Sequence, residues 1–86
     1  MAKNQELYDA ICDGNRPGVV AIVEAVVADG DDCVETLMDS MIPAMRHVGD
    51  CFARNEVYVP EMLIAARAMQ AGLDILAPVL AKSGHE

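Results

Sequence analysis

Aromatic residues are almost missing from this sequence of 86 residues, which holds one Phe, two Tyr and no Trp. Its 53% of apolar residues are therefore mostly Val, Ile, Leu, Met and Ala, a palette that suits closely packed helices. Basic residues are also scarce. Six Lys and Arg stand against fourteen Asp and Glu, a formal charge of −8, which excludes a nucleic-acid surface and reads as solubilising charge. No uninterrupted apolar run approaches the ~20 residues of a membrane span, and the N-terminus has no signal-peptide core, so no membrane partner is expected. The three cysteines, Cys12, Cys33 and Cys51, are scattered and form no CxxC pair. Such a set suits reduced thiols in a cytoplasmic protein. A Gly-rich phosphate loop, an internal repeat and a long linker are all lacking, and the length allows one domain.

What is present reads as helices. Asn4 is a plausible N-cap for a first helix ending near Asp13-Gly14, with Leu7, Ala10 and Ile11 on one face. The turn Gly14-Asn15-Arg16-Pro17 starts a second helix, capped by Asn15 or Arg16 and running to about Asp29. That helix is apolar nearly all round, so neighbours are expected on several sides. Gly30 ends it, and Asp32-x-x-Glu35 resembles a capping box for the third. In the third, Val34, Leu37, Met38, Met41, Met45, Val48 and Phe52 recur at three- and four-residue steps. Pro43 removes a backbone donor there, which predicts a break near Ser40–Pro43, capped by the Ser40 hydroxyl. A last helix is expected from Pro60 to about Ala81. Met62, Leu63, Ala66, Met69, Leu73, Leu76 and Leu80 form its main apolar face, Ile64, Ala68, Ala71, Ile75 and Val79 a second, and Pro78 kinks or frays its end. The fold class is all-α: a bundle of four main helices, the third of them broken.

Between the third and last helices, Arg54-Asn55-Glu56 is polar, and Asn readily accepts the left-handed conformation that ends a helix. The corner projects Phe52, Tyr58 and Val59 from helix-terminal or extended positions. From spacing alone, Phe52 and Val59 read as plugs over the end of the bundle. His47 and Cys51 share a helix face at i, i+4 and could hold a soft metal, but two ligands are too few, so no metal site is assigned. Met38, Met45, Met62 and Met69 fall on core stripes and read as core filling. Glu61 in a first helical turn complements the helix dipole. Nothing here specifies catalysis.

The residues of this corner carry a resemblance. Gly49-Asp50-x-Phe52, then Val57-Tyr58-Val59-Pro60-Glu61-Met62-Leu63, then Ala65-Ala66-Arg67-Ala68-Met69, resembles the N-terminal helical cap of cobalamin-dependent methyltransferase corrinoid proteins, which also occurs in cobalamin-dependent methionine synthase. The resemblance spans about Leu7 to Leu80. It implies a cap module, residues 1–82, with residues 83–86 starting a linker to a C-terminal domain that binds cobalamin. That domain's Asp-x-His-x-x-Gly motif does not occur in this chain, so the cofactor is expected in a full-length protein and not tightly bound here. The positions of Phe52 and Val59 in the family lie against the upper face of the corrin, and their neighbours Tyr58 and Met62 are expected to extend that lid. The implied role is non-catalytic: shielding protein-bound cobalamin during methyl transfer in a methylamine, methanol, betaine or aryl-ether system, with methyltransferase subunits as partners. Ala44 and Asn55 stand where relatives often have Gly, and Met38 where they often have Asn or Glu. The cap begins within a few residues of Met1, which is the pattern of a small stand-alone corrinoid protein. Without its partner domain, the exposed corner is expected to promote self-association. The rival reading is a structural or dimerising helical module without a cofactor. A third, a metal-dependent regulator using His47 and Cys51, predicts bound metal on purification.

Overall fold

Residues 4–82 are described by the computed structural model, and among them only helices and turns occur. The helices are α1 (Gln5–Cys12), α2 (Arg16–Ala28), α3 (Cys33–Thr36), α4 (Ile42–Ala53) and α5 (Val59–Lys82), with a π-helical turn at Leu37–Met41 between α3 and α4. The residues joining these last pieces keep right-handed helical angles. The stretch 33–53 is therefore one rod, and the molecule is the all-α bundle of four main helices that the sequence predicts.

Short polar residues start the helices where expected. The side-chain oxygens of Asn4, Asn15 and Asp32 accept from the amides of Leu7, Gly18 and Glu35 at 3.1, 3.1 and 3.0 Å. Left-handed residues end them, at Gly14 (φ 70°), Gly30 (φ 74°) and Asn55 (φ 62°). At each end the amide of the left-handed residue donates three residues back, and the next amide donates five residues back. These paired bonds satisfy the carbonyls that a helix end leaves open.

The interruption near Ser40–Pro43 is present but takes a different form from the predicted break. Pro43 cannot donate, and the chain absorbs this by widening one turn, in which the Ile42 amide donates to the carbonyl of Leu37. No side chain caps α4. Ser40 is fully buried instead, and its Oγ accepts from the Asn4 amide at 2.7 Å. The hydroxyl thus serves the start of α1, 36 residues away, and not its own helix.

The core gathers Leu7 and Ile11 of α1, Val19 and Val23 of α2, and Met41, Ala44 and Leu76, all fully buried. Each large aliphatic side chain there contributes on the order of 1.5–3 kcal/mol. The face that α5 buries departs from expectation. Ala65, Ala68, Gly72 and Leu76 point inward, while Leu63 and Ile64 are half exposed. Small residues let α2 and α5 approach closely: a Cβ at Gly72 would lie 2.9 Å from Val19 Cγ1 and 2.9 Å from Met41 Cε. Met38, expected as core, is exposed, because the widened turn carries it away from the buried stripe. The helix also passes through Pro78 to Lys82. By length and composition α5, 24 residues long and with a mean hydropathy of 1.4 over an 18-residue window, could cross a membrane, which the count of uninterrupted apolar residues did not reveal. Its inward face is packed within the bundle. The expected linker at residues 83–86 lies outside the described residues.

Candidate functional site

The corner at residues 52–63 is built by two helix ends. Phe52 lies in the last turn of α4. The Asn55 amide donates to the Phe52 carbonyl at 3.0 Å and the Glu56 amide to the Cys51 carbonyl at 2.8 Å, which locks the chain reversal. Arg54 then clamps the loop with a two-pronged pair to Glu56, Nε to Oε2 at 3.1 Å and Nη2 to Oε1 at 3.2 Å. Hydrogen bonds from Arg54, then its charge, with a further hydrogen bond from Cys51, hold the Glu56 carboxyl below its ordinary range. On the other side, the Met62 amide donates to the Tyr58 carbonyl at 3.1 Å, opening α5. The Glu61 carboxylate reaches back and accepts from the Tyr58 amide at 2.8 Å. Tyr58 has no side-chain oxygen able to cap α5 locally, so Glu61 takes that duty.

Both ends fixed in this way, the corner holds apolar side chains outward. Phe52 is 37% exposed, Val59 49% and Tyr58 75%, with Leu63 at 48% and Ile64 at 50%. Large apolar groups clustered in one exposed stretch mark a surface that something else covers. Met62, one turn into α5, is only half-buried and stands nearer the bundle. Leu63 and Ile64 are additions that the helical pattern had assigned inward; the small residues at 65, 68 and 72 were the signal that α5 turns another face to α2. Ile64 also meets the α1–α2 turn, where a Cβ at Gly14 would collide with its Cγ2.

His47 and Cys51 lie on a different side of α4. They border a cleft of about 570 Å³ whose lining includes Cys12, Glu61 and Ile64. Cys51 Sγ is 3.6 Å from His47 Nε2 and accepts from Arg54 Nη2 at 3.7 Å, and the His47 ring lies 6.1 Å from that of Tyr8. Among the described residues no group of three His, Cys, Asp or Glu is placed to hold a metal ion. The outward face of the corner, by contrast, is mainly apolar, with the Tyr58 phenol as its one polar group among Phe52, Val59, Leu63 and Ile64.

The chain matches the family described as B12 binding domain over residues 4–77. It is 32% identical over 84 residues to a corrinoid protein of Desulfitobacterium hafniense, covering 98% of this chain and 39% of that one. It is 30% identical over 87 residues to monomethylamine corrinoid protein 1 of Methanosarcina acetivorans, covering 96% of this chain and 40% of the relative. The solved structure of the Methanosarcina barkeri monomethylamine corrinoid protein superposes with a TM-score of 0.81 at 27% identity, over 86% of this chain and 35% of that one. The chain thus spans about two fifths of the length of the curated relatives it matches.

Proposed function

The chain belongs to the B12 binding domain family, and from that premise we propose that it is the helical cap of a corrinoid methyl-carrier protein, with the Phe52–Val59 corner shielding the upper face of the corrinoid. The observation that carries this is the outward set of Phe52, Tyr58 and Val59 on a corner whose backbone is pinned from both sides. A reduced corrinoid supplies a strong cobalt(I) nucleophile for methyl transfer. The task of this chain's residues is exclusion: an aromatic ring at 52 and a branched aliphatic group at 59 displace water and oxidants from the reactive face. Tyr58 and Met62 extend the apolar surface, and His47 and Cys51 stay on the cleft side.

In this reading the chain carries and protects without catalysing. Its neighbours are a C-terminal cobalamin-binding domain, joined through a linker beginning near residues 83–86, and cytoplasmic methyltransferase subunits. Methylamines are the first methyl donors to test, because relatives bearing that name cover the chain nearly end to end. A methyl donor and a methyl acceptor need the same face, so the cap has to open on the turnover timescale, and its closed state is a modest preference.

The test is the rate at which the cobalt(I) form is oxidised in the corrinoid-loaded protein that carries this chain. Phe52→Ala and Val59→Ala are expected to leave the fold and cofactor loading intact and to speed oxidation several-fold. An unchanged rate in the folded double variant means that these side chains are only plugs of the bundle.

A further inference from the structure

Among the described residues, Gly49 is the glycine that the fold does not explain. Gly14 and Gly30 adopt positive φ, Gly72 sits where a Cβ would crowd Val19 and Met41, and Gly18 lies against the Asn15 cap. Gly49 has ordinary helical angles in the interior of α4, and a Cβ there would meet nothing within 4 Å. A mid-helix glycine lowers stability relative to alanine, so this one weakens α4 with no return inside the domain. Its position suggests what it serves. It stands three residues before Phe52 and four after Met45, which places it on the same side of the helix as both. Beside the exposed Phe52 ring the surface is therefore bare backbone.

We infer that Gly49 is a seating residue: its missing side chain lets the planar macrocycle of the corrinoid, or the substituents on its rim, come down onto the backbone of α4 beside Phe52. The inference rests on the cap reading above. A methyl group at this point would hold any flat partner off by about one C–C bond, roughly 1.5 Å, and tilt it away from Phe52. Close approach of a ligand to backbone is a standard use of glycine, and the occupant follows from the family and from the adjacent lid.

The two halves of the inference have separate readouts. In this chain alone, Gly49→Ala is expected to raise the melting midpoint by about 4–8 °C, as a helix-interior Gly→Ala change does in a domain of this size. A lowered midpoint would show that the fold does need the glycine and would overturn the inference. In the corrinoid-loaded protein, Gly49→Ala is expected to speed cobalt(I) oxidation at least threefold and Gly49→Leu more, with Phe52→Ala as reference. Faster oxidation in Phe52→Ala with no change in either Gly49 variant overturns the seat and leaves the lid standing. No change in any of the three overturns both.

Discussion

Replacing Gly72 and Gly49 by alanine, one at a time, separates helix propensity from packing on the same scaffold. Both glycines lie within helices, so both changes gain up to about 1 kcal/mol from propensity. At Gly49 nothing opposes that gain. At Gly72 the added Cβ would lie 2.9 Å from Met41 Cε, 2.9 Å from Val19 Cγ1 and 3.3 Å from Val23 Cγ2. Carbon pairs settle at about 3.5–4.0 Å, so each contact is too short. The Met41 methyl can swing aside, but Val19 is β-branched and held near one rotamer in a helix, and it decides the outcome. Overpacking of this kind costs about 1–3 kcal/mol. The net at Gly72 is a loss of about 0–2 kcal/mol once propensity is credited. The two variants should therefore melt at least about 4 °C apart, with Gly49→Ala the higher, since 1 kcal/mol corresponds to about 4–8 °C in a domain of this length. Thermal denaturation followed by helical circular dichroism, with both variants in one buffer, reads the difference. Equal upward shifts would show that α2 and α5 are not in close contact at Gly72, and the account of how α5 is set would fail.

Ser40→Ala removes the acceptor for the Asn4 amide, and because Asn4 is only half-buried the loss should be about 1–2 kcal/mol; urea denaturation checks it, with an unchanged helical signal in the native state. The Glu56 carboxyl should titrate below the ordinary glutamate range, and Arg54→Gln should return it to that range, as read by carbon-detected NMR. Because the folded value lies below the unfolded one, the pair's contribution is present above the unfolded pKa and disappears as pH falls through the folded one. Loosening of residues 54–58 should therefore begin in the acid range, and a corner whose amide exchange is indifferent to that drop contradicts the clamp.

The parts of the fold that were legible in the sequence are those set by neighbours in the chain. Asn4, Asn15, Asp32, Gly14, Gly30 and Asn55 all cap or end helices where their types predict, since each acts on backbone groups within five residues. What escaped depends on distant contacts. The Ser40 hydroxyl could be seen as a cap but not as one for a helix 36 residues earlier. Pro43 announced an interruption, and whether the chain breaks or widens is settled by packing around Met41 and Ser40. On α5 the large residues suggested the buried face. A helix that is apolar on several sides does not specify which side its neighbour takes, and α2 chose the small side at Ala65, Ala68 and Gly72. Leu63 and Ile64 were consequently left outward, enlarging the corner. The polar turn and the proline marked Phe52, Tyr58 and Val59 as helix-end residues, but spacing alone read Phe52 and Val59 as plugs over the bundle, whereas the structure leaves them 37% and 49% exposed.

The central claim is that this outward corner faces the corrinoid. Hydroxyl-radical footprinting reports the solvent accessibility of individual side chains, and Phe52 and Tyr58 are strong reporters because aromatic rings react readily. The comparison is the full-length protein that carries this chain, with and without its corrinoid. The account predicts that loading protects Phe52, Tyr58 and Val59 several-fold, while Tyr8, on α1 beside His47, keeps its reactivity and serves as the internal control. Equal labelling of Phe52 and Tyr58 in the two states would contradict it.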